Sequence, residues 1–276
     1  MTQDNAIVDH YSQSTLMNKI EEALHKLNLS KENIAIGDLS AVDEFHIGGI
    51  AATEHLFSAL NFNEGSHVLD VGCGIGGTAR FVANKYNNQV TGVDLTEEFV
   101  QVGNTLSKWV NMEQSVKLHQ ASALSLPFDD DHFDGSFMVH VGMNIEDKNA
   151  LFKEVHRVLR PGATYGIYDI MRSNNGDLAY PVPWATVSDT SKLCTVDQYE
   201  QALEQAGFKI IAQNNRHEFA LAFFEQVRAK TAANGGPPPL GIHTIIGENA
   251  AVKIKNMMDN VSAGLIAPIE IVAAKV

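Results

Sequence analysis

Apolar positions recur at helical spacing near the start of the chain and at strand spacing from residue 66 onward. Leu16, Ile20, Leu24 and Leu27 fall on one face of a helix that Ser12 or Ser14 is placed to cap. A polar segment over residues 31–38 follows, then Val42-Asp-Glu-Phe-His-Ile-Gly-Gly49, and Leu56 with Leu60 marks a second helix. Between residues 66 and 215 short apolar runs alternate with helical stretches. Strands are predicted at residues 67–71, 89–94, 116–120, 133–139, 163–170 and 208–214, an alternation that predicts a parallel sheet with helices on both faces. The helix over 148–159 stops at Arg160-Pro-Gly162. Helices over 217–230 and 248–261 flank the turn-rich Asn234-Gly-Gly-Pro-Pro-Pro-Leu-Gly241, and residues 268–276 read as a strand. So long an interval before a returning strand predicts an insertion ahead of the last strand.

The run Val68-Leu-Asp-Val-Gly-Cys-Gly-Ile-Gly-Gly77 reads as a buried strand breaking into a glycine turn and then a helix. Glycines at 72, 74 and 76 present no Cβ to a ligand lying on the backbone, and the N–H groups of the following helix point at it. A glycine turn can also do no more than pack a helix on a strand. What favours a nucleotide site is the next strand, which ends in Asp94, 24 residues after Asp70. An acid there accepts hydrogen bonds from ribose hydroxyls. The loop is G-x-G-x-G, with its third glycine one residue too early for the pyrophosphate cradle of a nicotinamide enzyme.

Composition narrows the partners. A net charge of −13 argues against binding a phosphate backbone, which needs clustered Lys and Arg. Two cysteines far apart, Cys73 and Cys194, predict no disulfide framework and a reducing, cytoplasmic setting, with Cys73 packing inside the loop. No signal peptide or membrane-spanning run is evident. The eleven histidines show no H-x-x-x-H or H-E-x-x-H spacing, so no metal is expected. A G-x-S-x-G hydrolase elbow is also missing.

Asp-Val-Gly-Cys-Gly-Ile-Gly-Gly followed by Val-Asp-Leu-Thr resembles the first two motifs of class I S-adenosylmethionine-dependent methyltransferases. The resemblance runs from about Val42 to the C-terminus. It implies that Asp70 lies near the methionine portion of S-adenosylmethionine, that Gly72, Gly74 and Gly76 make room for it, that Asp94 takes the ribose hydroxyls and that Leu95 lies against the adenine. Gln120-Ala-Ser-Ala-Leu-Ser-Leu-Pro-Phe128 matches a segment usually reading G-D-A-x-x-L-P-F, which adds Ser122 and Ala123 to the cofactor site, with Ser122 in place of an adenine-contacting acid. Asp131-His-Phe-Asp134 and the strand after it resemble the fourth motif, whose far end, at His140, faces donor and acceptor. There a histidine can touch the cofactor and take the acceptor's proton. Asn144 either orients substrate or caps the next helix, with capping preferred.

Tyr168-Asp-Ile-Met-Arg172, Tyr180-Pro-Val-Pro-Trp-Ala185 and Gly236-Pro-Pro-Pro-Leu-Gly-Ile-His243 resemble a small-molecule branch grouped with sarcosine/dimethylglycine N-methyltransferases and ubiquinone/menaquinone C-methyltransferases. Tyr11, Phe45, His46, Tyr168, Trp184 and His243 are the candidate acceptor wall, which would suit a cation, with the proline-flanked Trp184 foremost. The expected fold is α/β: a Rossmann-like, seven-stranded, mostly parallel sheet with N-terminal helices over 1–62, a cofactor-binding core over 63–216, a helical cap over 217–262 and a final core strand over 263–276. The expected activity is methyl transfer from S-adenosylmethionine, leaving S-adenosylhomocysteine, to an amine nitrogen of a small sarcosine-like or amino-acid-derived molecule. C- or O-methylation of a natural-product or quinone-type scaffold, a nicotinamide-dependent oxidoreductase and a silent S-adenosylmethionine-binding module are the alternatives. Neither nucleic acid nor membrane is an expected partner; a homodimer is conceivable.

Overall fold

A computed structural model describes Val8, residues 15–60 and residues 62–276. Three helices come first: α1 (Leu16–Lys26), α2 (Ile36–Asp43) and α3 (Gly49–Leu60). The apolar stripe of α1 buries Leu16, Ile20, Ala23 and Leu24. Leu27 falls outside it: the helix closes at Lys26, and Leu27 is 39% exposed. Ser12 and Ser14 lie outside the described residues. α2 starts inside the segment read as polar, because the Asp38 carboxylate reaches back to accept from the Ala35 N–H at 2.9 Å, while Leu39 and Val42 are buried.

The sheet follows as β1 (His67–Val71), α4 (Gly77–Tyr86), β2 (Gln89–Asp94), α5 (Glu97–Trp109), β3 (Val116–Gln120), β4 (Phe133–Val139), α6 (Lys148–Val158), β5 (Leu159–Arg172), α7 (Val196–Gln205), β6 (Phe208–Asn215), α8 (His217–Ala233), α9 (His243–Ile246), α10 (Ala250–Ser262) and β7 (Ile266–Lys275). Its seven strands lie in the order β3-β2-β1-β4-β5-β7-β6. β7 runs antiparallel to β5 and β6, and the remaining pairs are parallel. β5 is longer than the sequence pattern predicts. It begins at Leu159, which pairs with Phe133; residues 160–163 bulge out of the ladder, with Gly162 at a φ of +80°, and pairing resumes at Thr164 opposite Gly135.

Strand periodicity divides the core. Leu69, Val71, Met138 and Ile167 point to one face, under Phe152 and Val155 of α6 and Leu203 of α7. Val68, Phe137, Tyr168 and Val272 point to the other, under Leu56 of α3, Val82 of α4 and Val100 of α5. Leu240 and Ile245 pack with Leu16, Ile20 and Leu24 of α1, so the segment before the last strand meets the N-terminal helices above the carboxyl ends of β1, β2 and β4. The chain order reverses at β1 and β4, where open α/β sheets leave a crevice for ligands. Among the described residues no helix is long and apolar enough to cross a membrane.

Candidate active site

A cavity opens at that crevice. Its floor is the glycine turn. Gly72 and Cys73 donate to the Val93 carbonyl at 2.8 and 2.9 Å, tying the turn to the end of β2. Gly72, Gly74 and Gly76 all hold positive φ, at +74°, +53° and +78°, which glycine alone adopts without strain. They serve different ends. A Cβ on Gly74 would stand in open space, leaving that backbone bare to the cavity. A Cβ on Gly72 would stand 2.4 Å from Val141. Gly76 does not line the cavity; a Cβ there would meet Leu118 at 2.8 Å, so this glycine packs the loop onto β3.

Two carboxylates flank the turn. Asp94 accepts from the Gly74 N–H and the Thr96 N–H, both at 2.9 Å, and lines the cavity. Asp70, at the end of β1, is buried, and among the described residues its Oδ2 has no hydrogen-bond partner. Burial, followed by the charges of Asp94 and Glu44, pushes its carboxyl well above the usual range. Leaving such an atom unpaired costs about 1–3 kcal/mol, a cost that a cationic ligand group would offset. Leu95, Ser122 and Ala123 also line the cavity. The Ser122 hydroxyl oxygen accepts from the Leu124 N–H at 3.3 Å, so its hydrogen remains to be donated.

His140 follows β4 directly. Its φ of +55° is left-handed, a conformation costing a residue with a Cβ about 1–2 kcal/mol. Its N–H donates to the Tyr168 carbonyl at 2.8 Å, locking the bend. The ring lines the cavity, and its Nε2 is buried without a partner among the described residues. Burial, then the neighbouring His46, holds the imidazole well below its ordinary pKa, hence uncharged at neutral pH. His46 lines the same cavity, its ring centre 5.9 Å from that of His140, and burial lowers its pKa to about 4. Asn144 lies at the wall, donating from Nδ2 to the Val141 carbonyl at 3.1 Å. It does not cap the next helix: Asp147 does, accepting from the Ala150 N–H at 2.8 Å.

Three further residues of the expected acceptor wall stand elsewhere. Tyr168 is buried behind His140, donating its hydroxyl to the Ile47 carbonyl at 2.9 Å, so it backs the wall without lining it. Trp184 is 4% exposed in the core under α8 and α10, and its Nε1 donates to Ser191 at 3.0 Å. The prolines beside it hold an anchor rather than a ligand contact. His243 starts α9 without lining the cavity, whereas Ile245, two residues on, does. Tyr11 lies outside the described residues.

The sequence reading missed Asp43, Thr78, Thr96, Phe99 and Ile245 on the cavity wall. Asp43 is the most informative. Its carboxylate is gripped by Arg80, whose Nε donates to Oδ2 at 3.3 Å. Arg80 Nη1 also donates to the Ile75 carbonyl at 2.9 Å, inside the glycine turn. Its fragment, Val42-Asp-Glu-Phe-His, lies where the family resemblance begins, but no periodicity singles out that acid. Among the described residues no group of three or more His, Cys, Asp or Glu is arranged to hold a metal.

Residues 69–167 match the family described as a methyltransferase domain. Methyltransferase GfsG of Streptomyces halstedii is 32% identical over 177 residues, 63% of this chain and 64% of that protein. Phosphoethanolamine N-methyltransferase 1 of Arabidopsis thaliana is 32% identical over 178 residues, 62% of this chain and 35% of that one. The chain thus spans less than two thirds of these relatives' length. The solved geranyl diphosphate C-methyltransferase of Streptomyces coelicolor A3(2) superposes with a TM-score of 0.71 at 16% identity, covering 100% of this chain and 99% of that one. Residues 69–167 thus match a methyltransferase domain, and they hold the glycine turn and the acid closing β2 within the seven-stranded sheet.

Proposed function

We propose that the protein transfers a methyl group from S-adenosylmethionine to an amine nitrogen of a small, sarcosine-like or amino-acid-derived molecule. The carrying observation is His140, an uncharged imidazole on a left-handed bend at the cavity, with a buried ring nitrogen that no described residue satisfies. The residues fit the cofactor. The bare backbone at Gly74 leaves it room, the unpaired oxygen of Asp70 meets the ammonium of its methionine part, Asp94 takes the ribose hydroxyls, and Leu95, Ser122 and Ala123 border the adenine. When bound, S-adenosylmethionine supplies a methyl carbon already activated by its sulfonium.

The chain's task is then to position and to accept a proton. Holding two reactants in line can account for roughly 7–11 kcal/mol of a barrier. His140 takes the proton that the acceptor sheds; an imidazole kept neutral beside a cationic donor can do so without repelling it. Supporting an amine, the cavity wall carries Asp43, Asp70 and Asp94 and, among its described residues, no Lys or Arg. Ile245 closes it from above, which suits a small acceptor. The O- and C-methylation alternatives rest on relatives such as an O-methyltransferase, cnsE of Penicillium expansum, 30% identical over 175 residues.

The test begins with calorimetric titration of the protein with S-adenosylmethionine, S-adenosylhomocysteine and NADH, followed by transfer of labelled methyl to matched amines, alcohols and carbon acids. Binding of both sulfur nucleotides and label on amines are expected. Label confined to oxygen or carbon acceptors replaces the amine reading, and binding of NADH alone removes the methyltransferase reading.

A further inference from the structure

The loop joining α2 to α3 holds an imidazole that is tethered on one side only. Every hydrogen bond of the His46 ring is made through Nε2, to the Gly49 carbonyl at 3.1 Å and to Thr53 Oγ1 at 3.0 Å. Thr53 in turn donates its hydroxyl to Glu44 Oε2 at 3.2 Å, and that carboxylate also lies 3.4 Å from Nε2. A carbonyl only accepts, so Nε2 carries the proton and Nδ1 bears the lone pair. Among the described residues nothing bonds to Nδ1, although His46 is only 7% exposed and lines the cavity.

We propose that His46 is a specificity-determining residue of the methyl-transfer site, accepting a second hydrogen of the reacting atom through Nδ1 while Glu44 and Thr53 hold its ring. This rests on the amine-methylating reading above, narrowed to a primary amine, whose neutral nitrogen keeps two hydrogens beside the lone pair that attacks. Two hydrogen bonds of about 2.9 Å leaving one tetrahedral nitrogen end on atoms about 4.7 Å apart. The ring centres of His46 and His140 lie 5.9 Å apart and both rings line the cavity, so the two imidazoles border one part of it. A nitrogen bearing two hydrogens satisfies both rings. A hydroxyl has one hydrogen and leaves one ring unmatched, and enclosed polar groups left unmatched are what reject the wrong substrate. Burial keeps both rings uncharged, so both offer lone pairs at neutral pH. Glu44 is a positioning residue, acting on the reacting atom through His46.

Sinefungin, which carries an amino group where the transferable methyl stands, probes this without an identified acceptor. The measurement is the ratio of its Kd to that of S-adenosylhomocysteine, by calorimetry at pH 7.5. His46→Ala is expected to raise the ratio about tenfold, the loss of one hydrogen bond to a charged donor, with S-adenosylhomocysteine affinity within twofold of wild type. Glu44→Ala shifts the ratio in the same direction and Glu44→Gln restores it, because an amide oxygen still accepts from Thr53. A role confined to stabilising the loop weakens both ligands equally and leaves the ratio unmoved, which overturns the proposal. Should His46→Ala not fold, nitrogen-15 spectra of the wild-type histidines decide: a His46 protonated on Nδ1 at pH 7 overturns it equally. If neither nucleotide binds wild-type protein, the cofactor reading itself has failed.

Discussion

At His140 three costs converge on one side chain: a left-handed backbone, a buried ring and a nitrogen without a partner among the described residues. Strain of this kind persists only where the surroundings enforce it, and it concentrates at functional positions. His140→Ala is expected to lower turnover about 100-fold or more, the range of a lost general base. S-adenosylhomocysteine affinity stays within twofold, as paired kinetics and calorimetry would show. Equal turnover in both proteins removes His140 from the mechanism. Glu44 yields a prediction about pH. Burial, then the charge of Asp43, raises its carboxyl from 4.5 to about 7. The folded protein therefore holds a proton that the unfolded chain releases between pH 4.5 and 7, and stability falls as pH rises through that window. The ceiling is about 3 kcal/mol. Glu44→Gln lacks this titration, so its Tm is expected to exceed wild type at pH 8 and to match it near pH 4.5, measured by calorimetry without ligand. A mutant less stable at pH 8 would mean that the Thr53 hydrogen bond outweighs the burial of charge.

At the scale of elements, the glycine turn divides its work between ligand and packing, and substitutions separate the two. Gly74→Ala places its methyl in open space at a φ of +53°. It is expected to cost about 1 kcal/mol of stability but to weaken S-adenosylhomocysteine binding more than tenfold, because the proposed cofactor lies against that backbone. Gly77→Ala places a Cβ 2.3 Å from the backbone oxygen of Asp43. Overpacking of this kind costs about 1–3 kcal/mol, so its Tm falls and α2 is pushed off the turn. Thermal melts beside calorimetry distinguish the pair, and an unchanged affinity in Gly74→Ala would move the cofactor off this backbone. The Asp43–Arg80 pair explains why α2 is coupled to the turn at all: one buried guanidinium holds the helix end and the Ile75 carbonyl together.

Taken as a whole, the molecule builds its site from segments distant in sequence, so ligand binding and global stability are linked. S-adenosylhomocysteine at 100 times its Kd is expected to stabilise the fold by about 2.7 kcal/mol, a rise in Tm of roughly 5–10 °C for a chain of this size. NADH is expected to leave Tm in place. A rise with NADH alone contradicts the assignment. The sequence by itself determined the parallel strands, because buried strands are continuous apolar runs, and it determined the glycine turn and Asp94, because a left-handed bend and a strand-end acid are local demands on residue type. It also marked His140 through its place after the fourth strand. Only the tertiary structure decided what lies around these positions. Trp184 has the same sequence signature as a ligand-facing aromatic, yet it packs into the core under α8 and α10, since packing direction depends on elements far along the chain. Asp43, the Glu44–Thr53–His46 hydrogen bonds and Ile245 carry no periodic signal. Their roles arise where the loop after α2 and the helix α9 meet the ends of β1 and β4, a proximity set by long-range burial.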